Sequence, residues 1–318
     1  MSYISSRVEL GPIQQMHALR RLFGMDSAYS NEALAAISRL ATAERVPAGQ
    51  QLVRAVDPFE RVHLIVEGTL ELTHRGHPLG QYSAGEAVGV LSALSRERDA
   101  WTCRTVTDST LLTLRISEVF EVFEDHFELM HGALIKLASD VIAWRRKLAP
   151  DVGSGGDLRT PCLACGRAPL NLVERTLHLR HTIGLEDSYI DELTELARAA
   201  AEVRYPAGTA LWSVGDLAAN ALVVVSGVVS ARTPEGALFR FGPGDMLGNL
   251  DTIAGVPRWF DAWVERDLVA LSLDGEAIVD VWEDHPAMGF AFLRMLSQLV
   301  VSLRLQAARQ AMDARRTA

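Results

Sequence analysis

The stretch from Gly85 to Trp101, reading GEAVGVLSALSRERDAW, holds the residues best suited to gripping a small anion. Gly85 and Gly89 open a turn, a short apolar helical run comes after them, and Arg98 is next, trailed by Asp99 and Ala100. Backbone N–H groups at a helix start attract negative charge, and a guanidinium offers two parallel donors to one phosphate or carboxylate. A second stretch, Gly242–Trp263, has the same outline, with Gly244, Gly248, Asn249 and Arg258 in the corresponding places. The residues just after each arginine work against an anion: Asp99 brings like charge to the first site, Trp259 and Phe260 bring bulk to the second. Each arginine therefore has two readings. It holds an anionic ligand, or it is a structural group tied to a nearby carboxylate or carbonyl.

A different chemistry is offered by Cys162-Leu163-Ala164-Cys165-Gly166. Two thiolates at that spacing can clasp a zinc ion, with the glycine allowing the turn beneath the second sulfur. Closure needs two more ligands, for which His178 and His181, three apart on a predicted helix, are the candidates. A redox pair and an inert linker knuckle are the alternatives, and the βαβ context of a thioredoxin-like catalyst is missing. Cys103 falls in a predicted strand and reads as core. Glu124-Asp125-His126 and Glu283-Asp284-His285 have the composition of catalytic triads. Both stand where a long helix is predicted to begin, which reads as a repeated structural N-terminal cap with dipole-favoured acids. No Gly-Lys-Ser/Thr phosphate loop, nucleophile elbow or His-Glu-x-x-His occurs.

The elements that position these groups come as a tandem repeat. Pro47-Ala48-Gly49 recurs as Pro206-Ala207-Gly208, 159 residues on. Gly68 and Gly227, Gly85 and Gly244, Gly89 and Gly248, and the two Glu-Asp-His trios share that offset. The expected organisation is an N-terminal helix (1–21), a first domain (22–148), a linker with the cysteine knuckle (149–181), a second domain (182–310) and a polar tail (311–318). Within each domain the pattern predicts helix, strands and a long closing helix. Glu67-Gly68 is predicted to turn a tight hairpin, and a helix is predicted over about 186–202. The closing helices carry apolar seams, one at Met130, Leu134, Leu137, Val141, Trp144 and Leu148 and the other at Phe292, Leu296, Leu299 and Leu303. A seam of this kind packs on its own domain or on another chain. The fold class is α+β, mainly β: two jelly-roll-like antiparallel β-barrels flanked by helices.

The chain has 318 residues, 48% of them apolar, with a net charge of −9. That acidic balance speaks against gripping a nucleic-acid backbone. Three cysteines are too few for a disulfide framework, and no run approaches the ~20 apolar residues of a membrane span. A soluble cytoplasmic protein without membrane insertion is the expectation.

Taken together, the Pro-Ala-Gly turn, Gly68, the Gly-Glu/Asp-x-x-Gly opening, the arginine cassette and the closing helix resemble the cyclic-nucleotide-binding domains of the catabolite-activator and protein-kinase-A regulatory-subunit superfamily. The resemblance covers both copies. It implies cyclic AMP or cyclic GMP as ligand and places the phosphate-holding arginine on Arg98 and Arg258, the latter within Val256-Pro257-Arg258. The family's ribose-binding glutamate falls on Val90 in the first copy and Asn249 in the second. Val90 accepts no hydrogen bond and Asn249 does so without charge. Losing a charge-assisted hydrogen bond costs on the order of 1.5–3 kcal/mol, roughly tenfold to a hundredfold in affinity.

Bacterial transcription factors of this family add a winged helix-turn-helix after the closing helix. Residues 149–181 are too short for one and unlike it, so DNA binding is not expected. The expectation is a non-enzymatic regulatory or adaptor protein with two degenerate pockets, acting on an unknown protein partner or as a homodimer through the closing helices. The alternatives are a true cyclic-nucleotide or anion sensor through the first domain, and a zinc or thiol sensor at Cys162 and Cys165.

Overall fold

The Pro-Ala-Gly turns are pinned identically in both repeats. The Ala48 N–H donates to Asp108 Oδ1 at 2.8 Å, and the Ala207 N–H to Asp267 Oδ1 at 2.8 Å. The N–H groups of Gly49 and Gly208 donate to the carbonyls of Thr105 and Val264, each at 2.8 Å. The internal repeat thus extends from the letters of the sequence to its hydrogen bonds. A computed structural model describes residues 4–23, 31–53, 60–95, 101–148 and 168–317. Arg98, Asp99, Ala100, Cys162 and Cys165 lie outside the described residues. The chain divides into two compact units, Met1–Lys136 with Ser297–Ala318 and Leu137–Leu296.

The first unit runs β1 (Ser6–Arg7), α1 (Pro12–Phe23), α2 (Asn31–Leu40), β2 (Thr42–Val46), β3 (Gln51–Val53), β4 (Arg61–Glu67), β5 (Thr69–His74), β6 (His77–Ser83), β7 (Ala87–Val88), α3 (Val90–Ser95), β8 (Trp101–Thr105), β9 (Ser109–Arg115), α4 (Ile116–Asp125) and the start of α5 (Phe127–Lys147). Its strands form two antiparallel sheets of order β1-β2-β9-β4-β7 and β3-β8-β5-β6. Val46, Ile65, Leu70, Trp101, Cys103 and Leu111 are buried in its core. Burial pushes the Cys103 thiol up to about 12, so it behaves as a small apolar side chain.

The second unit runs α6 (Leu172–Arg180), α7 (Ile190–Ala199), β10 (Ala201–Tyr205), β11 (Ala210–Trp212), β12 (Asn220–Arg232), β13 (Leu238–Phe241), β14 (Met246–Leu247), α8 (Asn249–Ala254), β15 (Asp261–Asp274), α9 (Gly275–Asp284) and the start of α10 (Pro286–Thr317). Its sheet has the order β10-β15-β12-β13, with β11 on β15 and β14 on β12. The jelly-roll-like plan of the first unit returns, but β12 is one strand where the first unit has β4 and β5.

Gly68 does not turn a hairpin. β4 pairs with β9 and β7, whereas β5 pairs with β6 and β8, so the chain passes from one sheet to the other at this residue. The ladder slips just before it, between Ile65 and Glu67, and the equivalent slip lies between Val224 and Ser226, with further irregularity on to Val229. Such a bulge lets a strand bend between sheets. Glycine is required because φ is +96° at Gly68 and +99° at Gly227, and because the neighbouring strand is too close for a side chain. A Cβ on Gly68 would stand 2.3 Å from Ser109 Oγ, and one on Gly227 would stand 2.3 Å from the Asp267 carbonyl oxygen.

Two further expectations change. The Glu-Asp-His trios do not cap the closing helices; Glu124 and Asp125 end α4, Glu283 and Asp284 end α9, and each histidine is the joint between two helices. His126 and His285 have nearly the same backbone (φ −133°, ψ 77° and φ −129°, ψ 75°), and their N–H groups reach Val122 and Val281. The helix predicted over 186–202 is the shorter α7, and α6 precedes it, started by a capping box between Asn171 and Glu174. In the closing helices Leu134, Leu137, Val141, Phe292, Leu296 and Val300 are buried within the chain. The Pro286–Gln310 part of α10 is long and apolar enough to cross a membrane by length and composition, with 44% of its most apolar window buried in the protein.

His63 on β4 is 1% exposed and lies 3.1 Å from Thr113 Oγ1. Burial, with a smaller effect of the Arg61 charge, pushes its pKa down to about 4. The unfolded chain takes up this proton near pH 6.5 and the folded unit does not, so stability falls as pH drops from about 6.5 toward 4. The loss expected from this shift is about 3 kcal/mol, and in His63→Gln the acid side of the pH–stability curve should flatten. The strand crossing supplies a steric test. Gly227→Ala should destabilise by about 3 kcal/mol or more, from backbone strain plus the clash with Asp267. Gly208→Ala has open space around its Cβ and carries only the strain, about 1–2 kcal/mol. Thermal or denaturant unfolding of the two variants measures the difference.

Candidate functional site

The backbone bonds that open the first cassette match those of the second. The N–H of Gly85 donates to the Ile65 carbonyl at 2.8 Å, as Gly244 does to Val224 at 2.9 Å. The N–H of Ala93 reaches the Gly89 carbonyl at 2.8 Å, and that of Thr252 reaches Gly248 at 3.2 Å. Gly89 leads into α3, which begins at Val90; Gly248 leads into α8, which begins at Asn249. A groove of about 460 Å³ opens beside Gly85, on the side of α1, lined among others by Ile13, His17, Arg45 and Ile65.

The second cassette is described in full, and Arg258 is its centre. The side chain is 2% exposed, and its guanidinium is held from several directions. Nη1 donates to the Gly248 carbonyl at 2.9 Å and to Asp251 Oδ2 at 3.1 Å. Nη2 donates to the Asn220 carbonyl at 2.5 Å and to Asn220 Oδ1 at 3.2 Å. The guanidinium carbon lies 4.1 Å from the centre of the Trp212 ring, an attraction between a cation and the negative face of an indole. The backbone is fixed as well: Arg258 N–H donates to the Asp216 carbonyl, and Gly215 N–H donates to that of Arg258. Gly248 completes the cradle, since a Cβ there would stand 2.4 Å from Arg258 Nη1.

Space beside the arginine is filled by aromatic rings. Trp259 and Phe260 are each 3% exposed and meet edge to face at 4.9 Å. Phe260 also lies 5.8 Å from Trp212 and 6.2 Å from Phe241, and Trp259 lies 5.8 Å from Phe239. Asn249 lines a narrow apolar recess with Leu196, Ile278, Trp282 and Phe292, and Arg258 is not among the residues around it. The structure therefore brings together Gly248 and Arg258, while Asn249, the next residue after Gly248, lines the recess with Leu196 and Trp282.

Asp251 is the residue that sequence reasoning missed. It is 1% exposed, and burial raises its carboxyl pKa while the Arg258 charge pulls it down. The signal was available by comparing copies: 159 residues earlier stands Ser92, small, neutral and turned onto the Gly89 carbonyl at 3.3 Å.

His178 is half-buried on α6, and His181 ends that helix with Nδ1 at 2.7 Å from the Leu177 carbonyl. Burial lowers the His178 pKa, with the neighbouring His181 adding to the effect. Among the described residues no three His, Cys, Asp or Glu side chains gather as a metal-holding group.

The profile of the cyclic nucleotide-binding domain matches residues 43–126 and 202–285, together more than half of the chain. An uncharacterized NTE family protein of Mycobacterium tuberculosis is 32% identical over 139 residues, 43% of this chain and 23% of that protein. A CRP-like cAMP-activated global transcriptional regulator of the same species is 29% identical over 120 residues, 36% of this chain and 52% of the regulator. The chain thus spans about a quarter and about half of the lengths of these two relatives. Among solved structures, the regulatory domain of Toxoplasma gondii PKA, co-crystallised with cAMP, is matched at 16% identity over 86% of this chain and 94% of that one, with a TM-score of 0.33.

Proposed function

The chain belongs to the cyclic nucleotide-binding domain family, and we propose that it is a non-enzymatic regulatory or adaptor protein whose second pocket is closed by its own side chains and whose output is protein contact. One observation carries this reading. Arg258, the group best suited to an anion in the second copy, is 2% exposed and directs its terminal donors to Gly248, Asp251 and Asn220. A ligand would have to displace a buried ion pair and the packed rings of Trp259 and Phe260. Breaking a buried pair by removing one partner costs about 3–5 kcal/mol, equivalent to roughly a hundredfold to several thousandfold in affinity.

The exposed apolar side chains favour a partner protein. Half of the large ones described, Leu172, Val173, Leu177, Ile183, Tyr189 and Ile190, fall in the single segment 172–190. In the closing-helix seams Met130, Leu134, Leu137, Val141, Phe292, Leu296 and Leu303 are buried, whereas Trp144, Leu148 and Leu299 are half-buried. A cytoplasmic location and a partner other than DNA are part of the same reading.

Titration calorimetry of the full chain with cyclic AMP, and separately with cyclic GMP, tests it. No saturable binding in the micromolar range is expected. One site per chain, lost in Arg98→Ala, would favour a sensor acting through the first domain, and two sites per chain would contradict the proposal.

A further inference from the structure

We propose that Asp251 is a resident anion: its carboxylate occupies the place on Arg258 where the negative group of a small ligand would bind, so the second cassette carries its own ligand. This deepens the closed-pocket reading and rests on it.

Four observations lead there. First, charge balance falls on one residue. Of the four acceptors on the Arg258 terminal nitrogens, Gly248 O, Asn220 O and Asn220 Oδ1 are neutral, and Asp251 Oδ2 alone carries charge. A cation buried to 2% exposure needs such a partner. Second, the contact is single-pointed. Only Oδ2 reaches the guanidinium; Asp251 Oδ1 and Arg258 Nε are buried with no protein partner among the described residues. Guanidinium–carboxylate pairs are frequently bidentate, and this one, with the acid held on α8, is made through a single oxygen. Third, the guanidinium is seated against the backbone, because Gly248 has no Cβ to meet Nη1. Fourth, the acid belongs to the second copy alone, since Ser92 holds its position in the first. Asp251→Ser therefore puts into the second cassette the residue of the first.

Removing the carboxylate leaves a buried cation whose remaining acceptors, Gly248 O, Asn220 O and Asn220 Oδ1, are all neutral, with a void where the lost group stood. Such a void is a receptor for a small inorganic or organic anion, with formate the closest match to the lost group.

The test is chemical rescue in the full chain. Asp251→Ser and Asp251→Ala are melted in formate, acetate and phosphate against chloride at matched ionic strength. The variants should unfold more readily than wild type in chloride. Formate should shift their unfolding equilibrium back saturably by about tenfold or more, roughly 1.4 kcal/mol. Wild type and the double variant Asp251→Ser/Arg258→Met should not respond. Equal responses of variants and wild type to every anion would overturn the proposal. If the single variants do not fold in chloride, refolding yield with and without formate gives the same readout, and a yield unmoved by formate is contrary evidence. Nucleotide binding by the second unit of the wild type would instead defeat the closed-pocket reading itself, and calorimetry separates the two failures.

Discussion

A guanidinium cannot stand bare in an apolar interior, and much of the second cassette is arranged around that constraint. Transferring an unpaired ion from water to a low-dielectric core costs far more than the net stability of a folded domain. Arg258 is therefore surrounded by acceptors drawn from three places in the chain: a strand start at Asn220, a turn at Gly248 and a short helix at Asp251. The ring of Trp212 covers its face, and the 213–216 turn fixes its backbone. A pair this dry is weak evidence for stability, because replacing both partners with apolar groups is often neutral. What it does is tie together β11, α8 and β12, each of which supplies a contact to the one guanidinium.

Comparing the two copies separates scaffold from site. The Asp–Ala turn bond, the glycine strand crossing, the opening of the cassette and the histidine joint between helices are present twice with nearly equal geometry. The residues around Arg258 do not repeat: Trp212, Asn220, Asn249 and Asp251 correspond to Val53, Arg61, Val90 and Ser92. Backbone bonds that hold a sheet in shape are served by few residue types, whereas a pocket lining changes freely once its contents change. The two copies thus share a scaffold, and in the second Trp212, Trp259 and Phe260 pack beside the arginine.

Much of this is legible in the sequence. The 159-residue offset and the buried Cys103 come from residue type and spacing, as does the reading of Arg258 as an arginine tied to a nearby carboxylate or carbonyl. The features that escape have physical reasons. Gly68 reads as a hairpin because hairpins and sheet crossings both need positive φ; which strands pair afterwards is decided by distant residues such as Ser109. The helix break at His126 is hidden because apolar spacing continues across it, and a single extended residue leaves no mark on that periodicity. Asp251 looks like an ordinary polar residue of a short helix, its partner lying seven positions away across a loop. Only the contrast with Ser92 sets it apart.

The central claim is that the second cassette is occupied from within. It is met most directly by a high-resolution crystal structure of the protein grown with a large excess of cyclic AMP. The account predicts Asp251 still on Arg258, Trp259 and Phe260 unmoved, and no nucleotide density in the second unit. A cyclic phosphate seated on Arg258, with Asp251 displaced, would contradict it.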